Sequence, residues 1–332
     1  MKTMKRTLAL LLCLLMMSVC AVSAFAADAA LPAGAKLLTD SKTINADDVK
    51  LIAYRGLSAC APENTLAAIE LAGRCGCDGV SLDIQPTLDG EWVCFAGPSV
   101  DMMTNGSGLV ASMTAAQLDE LTIDAGKNVS AYPNEKIPTL RQAIVVANLY
   151  KMKLVLTING GTTEQMQFII DKLETLMATL KLLGVEKTAT IISADQRVLD
   201  AVKAAGGRPA LNTLVPIPLL IVNTCTTNGY VGFAGRYVDP LTIRNAANNG
   251  LEVYGTNATT LYEAETYYEA GMRTIVSENL IKHAPTAENV AASAFSKLST
   301  WLRTILNQVI AFFQNLIKSF ALDQIFSSLG VK

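Results

Sequence analysis

Four short stretches hold the residues of this chain with chemistry to offer: Tyr54-Arg55-Gly56, Glu63-Asn64-Thr65, Ser81-Leu82-Asp83 and Thr157-Ile158-Asn159. Arg55 is a permanent cation that can neutralise an anionic oxygen. Tyrosine and glutamate can act as general acids or bases. A tyrosine titrating near its ordinary pKa of about 10 transfers protons poorly at neutral pH. Ser81 and Asp83 are two residues apart, so on a strand both face the same side. Asp83 alone would hold a hard cation weakly, because Ca²⁺ takes about six to eight oxygens. The chain has one histidine, His283. It follows the last predicted strand, so it reads as a surface loop residue and not as a catalyst.

These residues need rigid elements to hold them. Apolar runs predict strands at 50–54, 79–84, 92–95, 154–158, 189–193, 209–214, 251–255 and 273–277. Helical spacing fills most of the gaps, with helices predicted over 64–74, 114–121, 139–150 and, as one long element, 163–183. Asn64 or Thr65 is the N-cap of the first. Eight strands alternating with helices imply a parallel sheet closed into a (β/α)₈ barrel over residues 50–284. An open doubly wound sheet is the alternative, though no Gly-x-Gly-x-x-Gly turn supports a dinucleotide site.

The motifs resemble the glycerophosphodiester phosphodiesterase family over roughly residues 50–280. Pro62-Glu63-Asn64-Thr65 matches that family's Pro-Glu-Asn-Thr, and Arg55-Gly56 matches the end of its His-Arg-Gly. Thr104-Asn105-Gly106-Ser107-Gly108, Asp124-Ala125-Gly126 and Ile137-Pro138-Thr139-Leu140 match its later anchors. The resemblance implies a TIM barrel of the phospholipase-C-like phosphodiesterase type, a divalent cation such as Ca²⁺ or Mg²⁺, and hydrolysis of phosphoric diesters in lipid metabolism. It also implies which groups should be present. Tyr54 stands in the slot of one acid–base histidine and Ala96 in that of the other. Ser81 replaces a metal carboxylate of the Glu-x-Asp pair, leaving Asp83. Thr157-Ile158-Asn159 stands where the family has Glu-Ile-Lys. Phosphodiester cleavage needs charge neutralisation and a proton donor for the leaving alkoxide. The expectation is therefore a catalytically silent member with no cofactor. Tyr54, Arg55, Glu63, Ser81, Asp83, Thr157 and Asn159 would line an inherited pocket for a small phosphorylated or polyol ligand. The alternative is an active hydrolase using Tyr54, Glu63 and Asp83.

Composition sets the surroundings. The chain is 332 residues, 51% hydrophobic and 17% charged, which is globular. Lys2, Lys5 and Arg6, the apolar run 8–22 and Ala24-Phe25-Ala26 read as a signal peptide over 1–26, with an uncleaved anchor as the alternative. Its removal leaves 24 of the 27 basic residues against 29 acidic ones, a net charge of −5. That places the chain outside the cell or at its envelope and gives nucleic acid no basic patch. Residues 27–49 form a lead-in. Five cysteines remain, Cys60, Cys75, Cys77, Cys94 and Cys225. They read as small buried hydrophobes, with a disulfide from Cys60 to Cys75 or Cys77 as the alternative in an oxidising compartment. The tail, 285–332, carries an amphipathic helix whose apolar residues recur over 298–320. It would lie on the barrel, on a protein partner or on a membrane surface.

Overall fold

The computed structural model describes residues 30–213 and 218–285. The expected leader and the expected helix over 298–320 lie outside the described residues. Within them, eight parallel strands form a closed ring: β1 (Lys50–Tyr54), β2 (Gly79–Pro86), β3 (Lys153–Ile158), β4 (Thr190–Ser193), β5 (Pro209–Asn212), β6 (Gly232–Gly235), β7 (Glu252–Gly255) and β8 (Thr274–Ser277). Each pairs with the next, and β8 returns to β1 with Val276 opposite Ile52. The barrel is therefore a (β/α)₈ barrel, and the open doubly wound sheet is excluded. Ile52, Val155, Ile192, Ala210, Ala234, Tyr254 and Val276 point inward and pack together as its interior. A second, larger apolar layer lies between the strands and the surrounding helices.

The helices start where their caps place them. α1 (Leu66–Arg74) is capped by Thr65, whose side chain accepts from the Ala68 N–H. Among the later helices, α2 (Ala115–Glu120), α3 (Leu140–Leu149) and α4 (Thr163–Asp171) each open on a threonine–glutamine capping box. Such caps contribute about 1 kcal/mol each and mark where a loop at the strand ends must stop.

Three expectations need correction. Trp92–Cys94 is a strand but not a barrel stave. It runs antiparallel along the end of β2, with Cys94 opposite Ile84. The missing stave is β6, Gly232-Phe233-Ala234-Gly235, which has no β-branched residue to signal it. Gly232 is required there by space: a Cβ would run into the backbone of Glu252 on β7. Finally, the long helix over 163–183 is two helices, α4 and α5 (Leu173–Leu182), divided at Lys172. The Lys172 carbonyl turns to accept from the Trp92 indole N–H at 3.3 Å and the Thr175 hydroxyl at 2.8 Å.

The lead-in is tied to the barrel. Lys36–Leu37 pairs with Leu280–Ile281, and Leu38, Ile44 and Val49 are buried. All five described cysteines are free and buried, so the small-hydrophobe reading holds and the Cys60 disulfide does not form. Burial pushes the Cys60 thiol up to about 11 and Cys75 up to about 12.

Closing the ring depends on the close approach of β6 to β7. Gly232→Ala is expected to destabilise the barrel by about 1–3 kcal/mol through overpacking, read as a fall in thermal midpoint of several degrees. An unchanged midpoint would contradict the packing described for these strands.

Candidate functional site

The residues singled out from sequence meet at the C-terminal rim of β1, β2 and β3. Tyr54 ends β1 and is paired with Ser81 on β2; Asp83 is paired with Thr157 on β3. Alternation then places Tyr54, Ser81, Asp83 and Thr157 on the inward face. The chain leaves β1 through two left-handed residues, Arg55 at φ 54° and Gly56 at φ 75°. Gly56 packs so closely on Ala68 of α1 that a Cβ there would lie 2.6 Å from the Ala68 Cβ. This turn sends the Arg55 side chain across the barrel mouth.

Arg55 meets two carboxylates. Its Nη1 donates to both oxygens of Glu63, each at 2.9 Å. Its Nε lies 2.5 Å from Asp83 Oδ2. The other Asp83 oxygen accepts from the Asn159 amide at 2.7 Å. Asn64 closes the arrangement. It does not cap α1, which Thr65 does; its Oδ1 accepts the Asp83 N–H at 3.0 Å and its amide reaches Asp83 Oδ2 at 3.5 Å. Asp83 is 3% exposed, so each of these contacts replaces water it has lost.

Tyr54 completes the rim. The Arg55 guanidinium carbon lies 4.8 Å from the centre of its ring, a cation–π contact. Burial and the Asp83 charge raise the Tyr54 phenol above its ordinary pKa, and Arg55 only partly opposes them. The phenol therefore stays protonated near neutrality. Burial works against the Arg55 charge, but Asp83 and the Glu63 hydrogen bonds outweigh it and raise its pKa.

Ala96 stands slightly apart. The Phe95 N–H donates to the Asp83 carbonyl at 2.9 Å, and Gln85 holds the next turn by donating to the Phe95 and Gly97 carbonyls at 3.0 and 2.6 Å. Ala96 and Asn159 both line a cavity of about 290 Å³ beside the rim. Sequence reasoning passed over Gln85, although its spacing from Ser81 and Asp83 marks it as the next residue on the same face. His283 is exposed in a loop, with its ring beside Gly76 before β2, at the opposite end of the barrel from Tyr54.

These residues do not fit a divalent cation. Glu63 and Asp83 are both committed to Arg55, and the further carboxylate near Tyr54, Glu278, follows β8 on the far side of β1 from β2. No group of three or more His, Cys, Asp or Glu side chains with metal-binding spacing occurs among the described residues. The arrangement can present hydroxyls and amides from Tyr54, Ser81, Thr157, Asn159 and Gln85, and Ala96 adds no acid–base group to them.

Residues 55–214 match the glycerophosphoryl diester phosphodiesterase family. The chain is 40% identical over 115 residues to glycerophosphodiester phosphodiesterase 1 of Bos taurus, covering 34% of this chain and 35% of that protein. It is 44% identical over 91 residues to glycerophosphodiester phosphodiesterase of Caldanaerobacter subterraneus, covering 27% of this chain and 37% of the relative. The matched segments thus span about a third of these curated relatives. The structure resembles that of a phosphodiesterase from Oleispira antarctica in complex with the product sn-glycerol-3-phosphate. That likeness has a TM-score of 0.61 and 25% identity, over 74% of this chain and 96% of the other.

The ion pairs at the rim can be tested by stability. Arg55→Met should leave Asp83 buried without its cation and cost about 3–5 kcal/mol, readable by urea unfolding. Arg55→Met with Asp83→Leu should recover most of that loss, because neither charge is then stranded. Equal destabilisation in both proteins would show that the Arg55–Asp83 contact is not what holds the rim.

Proposed function

We propose that this chain, in which residues 55–214 belong to the glycerophosphoryl diester phosphodiesterase family, is a secreted, catalytically silent barrel that binds a small ligand at the cell envelope. The observation that carries this reading is the closed set of Arg55, Glu63 and Asp83. Arg55 occupies Glu63 and Asp83, and those carboxylates occupy the charge a phosphoryl group would need. With Tyr54 kept protonated, Ala96 inert and Glu63 and Asp83 paired with Arg55, the positions expected from sequence supply no pair of groups to take a proton from a nucleophile and deliver one to a leaving alkoxide. Of the two ligand classes expected from sequence, a polyol fits better than a phosphate. The rim offers neutral donors and acceptors, and its cation is already neutralised.

Purified protein with Ca²⁺ or Mg²⁺ and glycerophosphocholine is expected to turn over at least a thousandfold below the ordinary range of about 1–10³ s⁻¹. Turnover within that range that vanishes in Asp83→Ala and Glu63→Ala would instead establish the alternative, a phosphoric diester hydrolase with non-standard catalytic residues.

The signal peptide over 1–26 and the tail over 285–332 belong to the same proposal. We infer from the apolar residues recurring at helical spacing over 298–320 that the tail attaches the barrel to lipid or protein, because such a face would exceed what a solvated helix tolerates. Residues 27–286 form a compact unit, which supports a barrel that folds without the tail. Deleting residues from 287 onward should leave the barrel folded and abolish co-sedimentation with liposomes or self-association on size exclusion. Identical behaviour of the two proteins as lipid-free monomers would end the attachment reading.

A further inference from the structure

We propose that the cavity beside the rim takes a single alkyl chain, so that the ligand of this protein is an uncharged amphiphile with a polyol head. The proposal rests on the reading of the rim as a polyol site and specifies what is joined to the head. The cavity lies between the turn after Trp92–Cys94, the loop leading to Leu109, and the first helix after β3. Its walls are Phe95, Leu109, Met166, Phe168 and Ile169, together with small residues at Ala96 and Ala111. Its polar side chains are Gln85 and Asn159, at the edge toward the rim, and Glu164 and Gln165 on α4.

That edge is shared with the rim. The Asn159 amide that binds Asp83 is also in the cavity wall. A ligand can therefore place hydroxyls against the rim and an attached chain against the apolar walls. A cavity of about 290 Å³ is at the small end of ligand sites, which run from about 300 to 1,000 Å³, so it has room for one chain and not two. Replacing the family's histidine by alanine at position 96 fits the same use: it removes a polar side chain from the wall. Charge sets the head. Glu164 lines the cavity and is exposed, while Glu63 and Asp83 lie at the rim. Like-charge repulsion disfavours a carboxylate or phosphate head.

The probes are hexyl and octyl glucosides, each below its micelle concentration, titrated calorimetrically into the full-length protein, with glucose and octanoate as comparisons. Each buried CH₂ should tighten binding about fourfold. Octyl glucoside is thus expected to bind about fifteenfold more tightly than hexyl glucoside. Octanoate should bind more weakly than octyl glucoside. Ala111→Phe should fill the cavity and remove the chain-length increment while leaving glucose binding unchanged. Ala96→Leu provides the same test should Ala111→Phe lower the thermal midpoint. Equal affinity for the two glucosides, or an increment that survives both substitutions, would overturn the proposal. Glucose binding without any chain-length increment would leave the polyol reading standing and remove only the alkyl chain. Failure of all the glucosides and of glucose would overturn both.

Discussion

The contact on which the rim depends is between Arg55 and the buried carboxylate of Asp83. A carboxylate 3% exposed has lost most of its hydration, and such a loss costs several kcal/mol unless partners replace the water. Here a guanidinium and two amides do so, from Arg55, Asn159 and Asn64. Each partner comes from a different place: the β1 turn, the end of β3, and the residue before the cap of α1. The ion pair therefore ties together three separate loops. Glu63 then holds the other side of the guanidinium, which leaves Arg55 little freedom to turn toward a ligand.

The same arrangement shows how carboxylates at a barrel mouth can be held without a metal ion. In a site built around a divalent ion, the ion would organise the carboxylates. In this chain an internal cation does that work. Ser81 and Thr157 are uncharged, and the Asp83 charge beside them is met by Arg55. The base of the barrel shows a parallel solution. Glu252 accepts from Lys153 at 2.8 Å and from Arg208 at 2.9 Å, and Tyr254 bonds Glu252, Lys153 and Thr190. Compensated charge thus lies at both ends of the barrel, with the apolar layer of Ile52, Val155 and Ile192 between.

Much of the site was legible because it rests on rules of short range. Ser81 and Asp83 alternate along β2, and the period of two is enough to put them on one face. The threonine caps are equally local, since a side chain three residues before its acceptor needs no tertiary information. The resemblance of Pro62-Glu63-Asn64-Thr65 to its family counterpart singled out Glu63 as a pocket residue, but its pairing with Arg55 came from the structure. The errors came where an apolar run has more than one use. Trp92-Val93-Cys94 has the pattern of a stave yet pairs in the opposite direction, and Gly232-Phe233-Ala234-Gly235 lacks the pattern yet is one.

The sequence by itself determined the alternation of strand and helix, the residues available at the rim, and the absence of histidine from it. These follow from residue type and from periods of two and 3.6, which act within a few residues. Only the tertiary structure decided which carboxylate Arg55 would neutralise, that Asn64 would bind Asp83 instead of capping α1, and which apolar run would close the ring. It also decided that Ala96 and Asn159 would share a cavity, although 63 positions separate them in the chain. Those outcomes depend on strand register and on which loops meet at one end of a closed barrel, and register is set by pairing between residues far apart in sequence.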